Sequence, residues 1–436
     1  MNRRLPFLFL TTAMPVVTLA AVIGVNPPSQ PLTEARISAL PPAAQPAWRD
    51  YLARSVAQRA ADRKFLADEI AAHGIKEPLP ASPGSPATRL RDAHPATWFA
   101  TAEARRMADN VVSFQTPAGG WSKNFNPADH PRRPGEAFSP DTNLSRFLAP
   151  GDNDQPHDEH WAYIGTFDNN ATIDELRFLA RVAAAADATT GAGWRAAFLR
   201  GIDYVLAAQF PNGGWPQVYP LDGGYHDAIT FNDGAIANII RLLRDVAGGR
   251  DEFAWVPADT RRRAAAGEAR GVACILDCQI VADGRRTVWC QQHDALTLAP
   301  TSARNYEMPS QCSAESAGLA IFLMEQPAPD ARVIAAVHAA AAWLQKTALH
   351  DVAFRAAADG SGRQLVPAPG APALWARYYE LKTDRPIFGD RDKTIHDDIA
   401  EISLERRNGY SWFTNAPQRA LDLYAKWAKA HPAPAP

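Results

Sequence analysis

The spacing of apolar residues along the chain indicates helices rather than strands. From Trp48 to about His73, apolar side chains recur at steps of three and four residues, which is typical of an amphipathic helix. From His94 onward, further segments with helical spacing are separated by long loops rich in glycine, proline, aspartate and asparagine. Alternating runs long enough for strands are few. The pattern therefore predicts a largely helical protein.

Three segments of this helical body are built alike. Each has a helix that ends near a glutamine, then a turn with a tryptophan, then a second helix. The glutamines are Gln115, Gln209 and Gln279, the tryptophans are Trp121, Trp215 and Trp289, and the second helices begin near Asn169, Asp233 and Ser313. Helix pairs repeated around an axis bury their faces on one another and leave loops at one end to form a groove. We therefore predict an all-α fold, an α/α toroid with three helix-pair repeats.

One motif occurs twice. Thr-Phe-Asp-Asn-Asn-Ala at 166–171 recurs as Thr-Phe-Asn-Asp-Gly-Ala at 230–235, and each copy opens an apolar run of helical spacing. Aspartate is a preferred capping residue, so Asp168 and Asp233 fit two helix caps. The two copies offer more carboxylate and amide oxygen than one cap needs, and oxygen-rich groups brought together from two loops suit calcium. Two carboxylates could equally be the acid and base of a glycosidase.

A third loop, 301–310, stands where the repeat places the third member of the site. There Arg304 replaces the acid. An arginine in a loop is usually part of a salt bridge, and Glu307 is available as its partner. If Arg304 instead faces the two acids, the site combines a metal with a cation. Such a site suits an anionic substrate better than a neutral sugar.

Further cations follow this loop. Arginine grips a carboxylate through two parallel hydrogen bonds, so Arg377, Arg385 and Arg391 suit a chain of uronic acids. The alternative is a structural network, because aspartates are interleaved with these arginines. Lys123, directly after a Gly-Gly-Trp-Ser run, is another candidate cation.

Composition and charge leave the class of protein open and give no support for nucleic acid or an anionic membrane as a partner. The chain has 436 residues, of which 46% are hydrophobic and 21% charged, as in ordinary globular proteins. A formal net charge of −2 gives no general attraction to nucleic acid or to an anionic membrane. Any affinity for a polyanion must come from a local basic cleft.

The start of the chain resembles an export signal. Arg3 and Arg4 precede an apolar stretch from Leu5 to Val22, with small residues near Ala20 for cleavage. An uncleaved membrane anchor is the alternative, although the stretch is near the lower length limit for a span. We predict a signal peptide at 1–26, a linker and N-terminal helical segment at 27–93, a catalytic domain at 94–430 and a flexible tail at 431–436. The mature protein is expected to be secreted or periplasmic.

Four cysteines lie close together in this exported chain, so a disulfide is plausible. Cys274 and Cys278 are four residues apart in one predicted helix, a spacing that suits a bridge badly. No histidine stands at a ligand spacing beside them, so the pattern is a poor zinc site. Cys290 paired with Cys278 or Cys312 fits better.

Seven motifs in one order carry a family resemblance. They are Gly-Gly-Trp-Ser-Lys-Asn, Thr-Phe-Asp-Asn-Asn-Ala, Gly-Gly-Trp-Pro-Gln-Val-Tyr-Pro, Ile-Thr-Phe-Asn-Asp, Trp-Cys-Gln-Gln-His-Asp, Ala-Arg-Asn-Tyr-Glu and Arg-Pro-Ile-Phe-Gly-Asp-Arg-Asp. Between about residues 95 and 416 the chain resembles the pectate lyases of polysaccharide lyase family 10. The resemblance implies an incomplete α/α toroid with a broad groove, calcium dependence, and β-elimination of polygalacturonate. We expect polygalacturonate or pectin as the partner and a monomeric protein.

The resemblance also implies roles for single residues. Asp168 and Asp233 would hold calcium, and Arg304 would be the base that takes the C5 proton. Substrate contacts would come from Lys123, Asn169, Arg377 and Arg391, and the arginine pattern adds Arg385 as a further candidate. The repeated Gly-Gly-Trp elements are interpreted as turns pinned against a helix rather than as sugar platforms. The polar stretch 138–160 departs from the family pattern and is expected to rim the groove.

The base assignment carries a chemical difficulty. A guanidinium with a pKa above about 12 is almost never neutral in a protein. Calcium and other cations nearby would lower the pKa of Arg304, so we expect an alkaline optimum. Two alternatives stay open: a glycoside hydrolase using Asp168 and Asp233, and a pectin-binding protein without turnover.

Overall fold

The computed structural model describes residues 22–84, 90, 93–143, 148–156 and 158–433. Most of the predicted signal peptide, residues 1–21, lies outside the described residues, as do residues 434–436 of the predicted tail. Residues 22–26, which belong to the predicted signal segment, are part of the folded body. In the described part of the chain, no helix has the length and apolar character needed to cross a membrane.

Helices account for most of the regular structure. In the described residues they are α1 (Glu34–Ser38), α2 (Gln45–His73), α3 (Ala102–Ser113), α4 (Ile173–Ala184), α5 (Ala192–Ala208), α6 (Ala235–Gly248), α7 (Ala258–Asp277), α8 (Ser313–Met324), α9 (Ala331–Lys346), α10 (Leu404–Gly409) and α11 (Ala416–Trp427). Helix α4 packs along α5, α6 along α7, and α8 along both α9 and α11. The predicted N-terminal helix is α2. It packs on this body, where Tyr51 donates to the carbonyl of Ala208 at 3.0 Å.

Short strands join the loops between the helices. They are β1 (Gly24–Val25), β2 (Ile229–Thr230), β3 (Val281–Ala282), β4 (Arg285–Arg286), β5 (Gln292–His293), β6 (Pro300–Thr301), β7 (Gln311–Cys312), β8 (Val352–Ala356), β9 (Arg363–Pro367), β10 (Trp375–Ala376), β11 (Tyr378–Tyr379), β12 (Phe388–Gly389), β13 (Thr394–His396) and β14 (Phe413–Thr414). All pairs are antiparallel, in the sheet orders β1-β13-β12, β2-β5-β6, β3-β4, β7-β11, β8-β9 and β10-β14.

The prediction of an all-α toroid is therefore wrong. The fold is mixed, with 46% of residues in helices and 11% in strands that form several small sheets. Most of these strands span only two or three residues, which is too short to produce an alternating pattern in the sequence. Their pairing depends on loops that meet only in the folded chain, so periodicity could not reveal them.

The repeated glutamine and tryptophan positions do form one recurring local structure. Gln115 donates to the carbonyls of Gly119 and Ala197, at 2.8 and 2.9 Å, and Gln209 and Gln279 make equivalent pairs of bonds. The indole of Trp121 is fully buried and donates to the carbonyl of Val111, in the preceding helix, at 2.7 Å. Trp215 and Trp289 bond to α5 and α7 in the same way. The interpretation of these tryptophans as structural pins is confirmed.

The glycine of this turn is there for a geometric reason. Gly119 has a φ of 107°, and a side chain on it would lie 2.7 Å from the carbonyl oxygen of Arg200. Gly213 has a φ of 94° in the second copy. Only glycine accepts such a backbone at this close approach to a neighbouring helix.

The cysteines do not pair as predicted. All four thiols are buried and free, and the sulfur atoms of Cys274 and Cys278 are 4.0 Å apart. A disulfide requires a sulfur to sulfur distance of about 2.0 Å. Cys290, Cys278 and Cys312 are each free, so the expected pairing is absent from the described residues, although the thiols of Cys290 and Cys312 are in contact.

Candidate active site

Two short turns carry the predicted metal ligands. A 3-10 turn spans Asp168–Asn170 before α4, and a second spans Asn232–Gly234 before α6. Asn169 and Asp233 occupy the same place in the two turns, and both are left-handed, with φ of 53° and 50°. Asp168 is the first residue of its turn and is buried, whereas Asp233 is the second residue of its turn and is exposed.

Neither aspartate caps a helix. The residue before α4 is Thr172 and the residue before α6 is Gly234, and neither helix start receives a side-chain cap bond. The expectation that Asp168 and Asp233 act as caps is therefore wrong. Residues 169–172 separate Asp168 from α4, whereas only Gly234 separates Asp233 from α6.

The carboxylate of Asp168 is held from two sides. Lys123 Nζ lies 2.6 Å from its Oδ2, and Gln217 Nε2 donates to its Oδ1 at 3.0 Å. The ammonium of Lys123 also lies 3.3 Å from the centre of the Tyr163 ring. This arrangement fixes one cation and one anion of the site against each other.

Burial and neighbouring charges shift the pKa of Asp233. Its pKa is raised by partial burial, then by the charges of Asp168 and Glu315, although Arg377 and Arg304 act in the opposite direction. Glu315 Oε2 is buried without a hydrogen-bond partner. Carboxylates that repel one another, with an unsatisfied oxygen among them, favour a cation between them.

The carboxylate oxygens of Asp168, Asp233 and Glu315 would supply only part of the coordination shell of a calcium ion. No group of three or more histidine, cysteine, aspartate or glutamate side chains with metal-binding geometry occurs among the described residues. Calcium takes six to eight oxygen ligands, so carboxylates of the substrate, amide oxygens and water would complete the shell. A calcium ion held here would depend on the acidic substrate for part of its coordination.

Arg304 lies in the loop between β6 and β7 and is paired with Glu307. Its Nη2 is 2.6 Å from Glu307 Oε1, and its Nε is 3.0 Å from Oε2. Burial lowers the pKa of Arg304, but the charge and hydrogen bonds of Glu307 outweigh it, so the pKa lies well above the ordinary value. The same pair holds the pKa of the buried Glu307 at about 2. The lowering of this pKa by calcium and other cations stays a prediction, and the negative charge of Glu307 acts against it.

A chain of close polar contacts connects the Arg304 loop with the Asp233 turn. Tyr410 donates to Glu307 Oε1 at 2.7 Å, and its hydroxyl lies 2.5 Å from that of Tyr378. Tyr378 donates to Gln291, whose Nε2 donates to Asn232 Oδ1 at 2.9 Å. Sequence analysis missed the two tyrosines and Gln291, since their role depends on contacts between distant segments. Gln291 lies inside one of the resembling motifs, and this was the signal available for it.

Arg377 approaches the same turn from the other side. Its Nη2 lies 2.5 Å from Glu315 Oε1 and 3.3 Å from Asn232 Oδ1. Burial lowers the pKa of Arg377, but Glu315 and neighbouring tyrosines raise it well above the ordinary value. Arg377 is therefore a fixed positive charge beside Asp233.

Three predicted cations line one cavity of about 180 Å³, namely Lys123, Arg304 and Arg391. Asp152 and Asp154, from the stretch 138–160, line it as well, and the position of this stretch at the rim of a substrate groove stays a prediction. Arg385 is not among the lining residues. Its side chain is 57% exposed and lies 3.3 Å from Asp397.

Paired carboxylates beside a cavity lined by cations define an enzyme site for an acidic substrate. The model of the Pectic acid lyase family matches residues 115–421, and the chain belongs to this family. Two solved structures are similar to it. The family 10 polysaccharide lyase from Cellvibrio cellulosa is 32% identical, with a TM-score of 0.62, over 78% of this chain and 99% of that one. No curated protein matches the chain.

The second structure is a mutant of the Cellvibrio cellulosa family 10 lyase in complex with trigalacturonic acid. It is 32% identical, with a TM-score of 0.61, over 76% of this chain and 97% of that one. The predicted family and the predicted pectate lyase activity are thus confirmed. The glycoside hydrolase and the binding protein without turnover are set aside.

Proposed function

We propose that the chain cleaves α-1,4-polygalacturonate by calcium-dependent β-elimination, with Arg304 as the base. The observation that carries this proposal is the meeting of Arg304, Lys123 and Arg391 in one cavity, with Lys123 bonded to Asp168. The bound trigalacturonic acid of the Cellvibrio cellulosa mutant supports polygalacturonate as the substrate.

Asp168 and Asp233 would hold the calcium ion. Burial and then the charge of Asp168 raise the pKa of Asp233, and a cation between the two carboxylates would relieve their repulsion. Bound there, calcium would neutralise the carboxylate of a galacturonate and so acidify the adjacent C5–H bond. Asn169 is exposed beside Asp168 and supplies an amide for a sugar hydroxyl.

The fixed cations of the chain stabilise the charge that develops in the reaction. Removal of the C5 proton places negative charge on the galacturonate carboxylate, and preorganised cations stabilise such an enolate-like state. Lys123, Arg377 and Arg391 supply this charge, and the guanidinium groups of the two arginines can bond a carboxylate in two places. Binding and catalysis thus use the same side chains.

Arg304 moves the proton. A neutral Arg304 accepts the proton from C5, the electrons of that bond form the C4–C5 double bond, and the C4–O4 bond breaks. The departing chain leaves with O4, which solvent protonates. Because Glu307 raises the pKa of Arg304, the neutral form is available only at alkaline pH.

We further propose that the protein is exported and works as a monomer in the periplasm or outside the cell. The apolar stretch after Arg3 and Arg4 supports export. The folded position of residues 23–26 supports cleavage near Ala20 and Ala21 rather than after residue 26. The catalytic domain is proposed to span 94–430.

The test is incubation with polygalacturonate while the ultraviolet absorbance of unsaturated uronides is followed. Absorbance should rise, should stop rising when a calcium chelator is added, and should recover with added calcium. Arg304→Ala should abolish turnover and retain substrate binding. Binding without any rise in absorbance from the wild type would overturn the proposal, and an active Arg304→Ala would overturn the assignment of the base.

A further inference from the structure

The segment 22–27 runs against two elements that carry site cations. Strand β1 pairs with β13, so that Gly24 is opposite Ile395, and the amide of Ile23 donates to the carbonyl of Ile395 at 2.9 Å. The amide of Asn26 donates to the carbonyl of Lys393 at 2.7 Å. These bonds attach the segment to the β12-β13 hairpin, whose turn contains Arg391.

The side chain of Asn26 reaches the loop of Arg304 instead. Its Nδ2 lies 3.1 Å from the carbonyl oxygen of Arg304, 2.8 Å from that of Asn305 and 3.2 Å from that of Glu307. Asn26 is 1% exposed, and its Oδ1 is buried without a partner. The amide group of Asn26 therefore donates both of its hydrogens to the backbone of this loop, while its oxygen is left without a hydrogen bond.

Two more contacts close the connection. The hydroxyl of Ser302 donates to the carbonyl of Pro27, so the loop and the segment are bonded in both directions. Asn305 Nδ2 donates to the carbonyl of Arg391 at 2.6 Å. The segment, the Arg304 loop and the Arg391 hairpin thus form one hydrogen-bonded unit beneath the cavity.

We propose that Asn26 is a positioning residue for β-elimination. It holds the backbone of residues 304–307 and, together with β1, fixes the position of Arg304 relative to Arg391. This inference rests on the proposed role of Arg304 as the base. Residue 26 lies outside the range 115–421 that matches the family, so the contact between Asn26 and the Arg304 loop is not covered by that match. A mature enzyme that lacks residues 22–27 would lose it.

The experiment compares Asn26→Leu and Asn26→Ala with a control, Leu32→Ala, in the full chain. Leucine keeps the branched shape and the number of side-chain heavy atoms of asparagine, and removes both donors together with the unpartnered oxygen. Leu32 lies five residues after this segment. Its side chain is buried in the main hydrophobic core and does not belong to the Arg304 loop. The readouts are kcat and KM on polygalacturonate, thermal unfolding, and amide hydrogen exchange of residues 302–308.

Asn26→Leu should lower kcat by about tenfold to a hundredfold, since small displacements of a catalytic group have effects of that size. Its exchange at residues 302–308 should be faster, while Leu32→Ala should keep the wild-type kcat and exchange there. If Asn26→Ala does not fold, Asn26→Leu decides. A folded Asn26→Leu with kcat within twofold of wild type and unchanged exchange would overturn the inference. If the wild type makes no unsaturated product, the proposed function fails, and hydrogen exchange still tests the role of Asn26.

Discussion

Arg304 and Glu307 form an ion pair with two bonds inside a single loop, with nitrogen to oxygen distances of 2.6 and 3.0 Å. Glu307 is only 3% exposed, whereas Arg304 is 34% exposed and lines the cavity. The pair therefore orients the guanidinium toward the cavity and at the same time favours its charged form. The fraction of Arg304 that is neutral, and so able to act as a base, therefore depends on Glu307.

Glu307→Gln should shift the pH dependence of kcat to lower pH. Loss of the adjacent negative charge lowers the pKa of Arg304, so that a larger fraction is neutral at a given pH. Opposite charges at this distance change a pKa by about one to three units, and a shift of that order is expected. The measurement is a profile of kcat against pH at saturating calcium.

The matched control is Glu325→Gln. Glu325 also forms a pair of bonds with an arginine, Arg241, at 2.9 and 3.1 Å, on the exposed surface of α6 and α8. It should leave the profile unchanged. An unchanged profile for Glu307→Gln would mean that ionisation of Arg304 does not limit the rate.

Asp168→Asn and Asp233→Asn should each weaken calcium binding. Loss of a charged ligand should cost at least the roughly tenfold that loss of an outer hydrogen-bonding partner costs at a metal site. Calorimetric titration of the purified protein with calcium chloride measures the affinity directly. Asp245→Asn is the control, because Asp245 pairs with Arg177 at the surface. Calcium affinity that is equal in all three variants would place the metal elsewhere.

Arg391→Ala should raise KM for polygalacturonate by about tenfold to a hundredfold, the size expected for one lost bond to a charged group. Arg385→Ala is its natural comparison. Arg385 lies outside the cavity and is bonded to Asp397, so its loss should change kcat and KM by less than about twofold. Steady-state kinetics on the same polymer measure both. Equal effects would restore the prediction that both arginines contact the substrate.

Glu175 should make the protein less stable as pH rises. It is buried in α4 with one oxygen unpartnered, and burial, then Asp174, raise its pKa to about 8 from the ordinary 4.5. Because the folded state favours the protonated form, the stability from this group is complete below 4.5 and is lost as pH rises toward 8.

Glu175→Gln removes this loss. At pH 5 the variant should unfold near the wild-type temperature, and at pH 9 its free energy of unfolding should exceed that of wild type by roughly 1 to 3 kcal/mol. Thermal unfolding at the two pH values measures the difference. Glu103→Gln, at an exposed position in the first turn of α3, is the control. A constant difference between wild type and Glu175→Gln would show that Glu175 does not titrate in this range.

Local signals predicted much of the helical framework. The glutamine and tryptophan repeats, the helix α2 and the two acidic turns are encoded by residues close together in the sequence, so their patterns are visible in it. The resemblance carried the candidate site residues because motifs keep their order along the chain. The small sheets could not be foreseen, since two-residue strands carry no periodicity.

The sequence by itself determined the family, the helices and the residue types of the site. The tertiary structure decided which charges meet. It pairs Arg304 with Glu307, places Arg385 outside the cavity and brings Asn26 from a predicted signal segment to the backbone of the Arg304 loop. Local periodicity depends on neighbours in the chain, whereas a pKa or a cavity depends on distances between residues as far apart as 26 and 305. Only the folded chain fixes those distances.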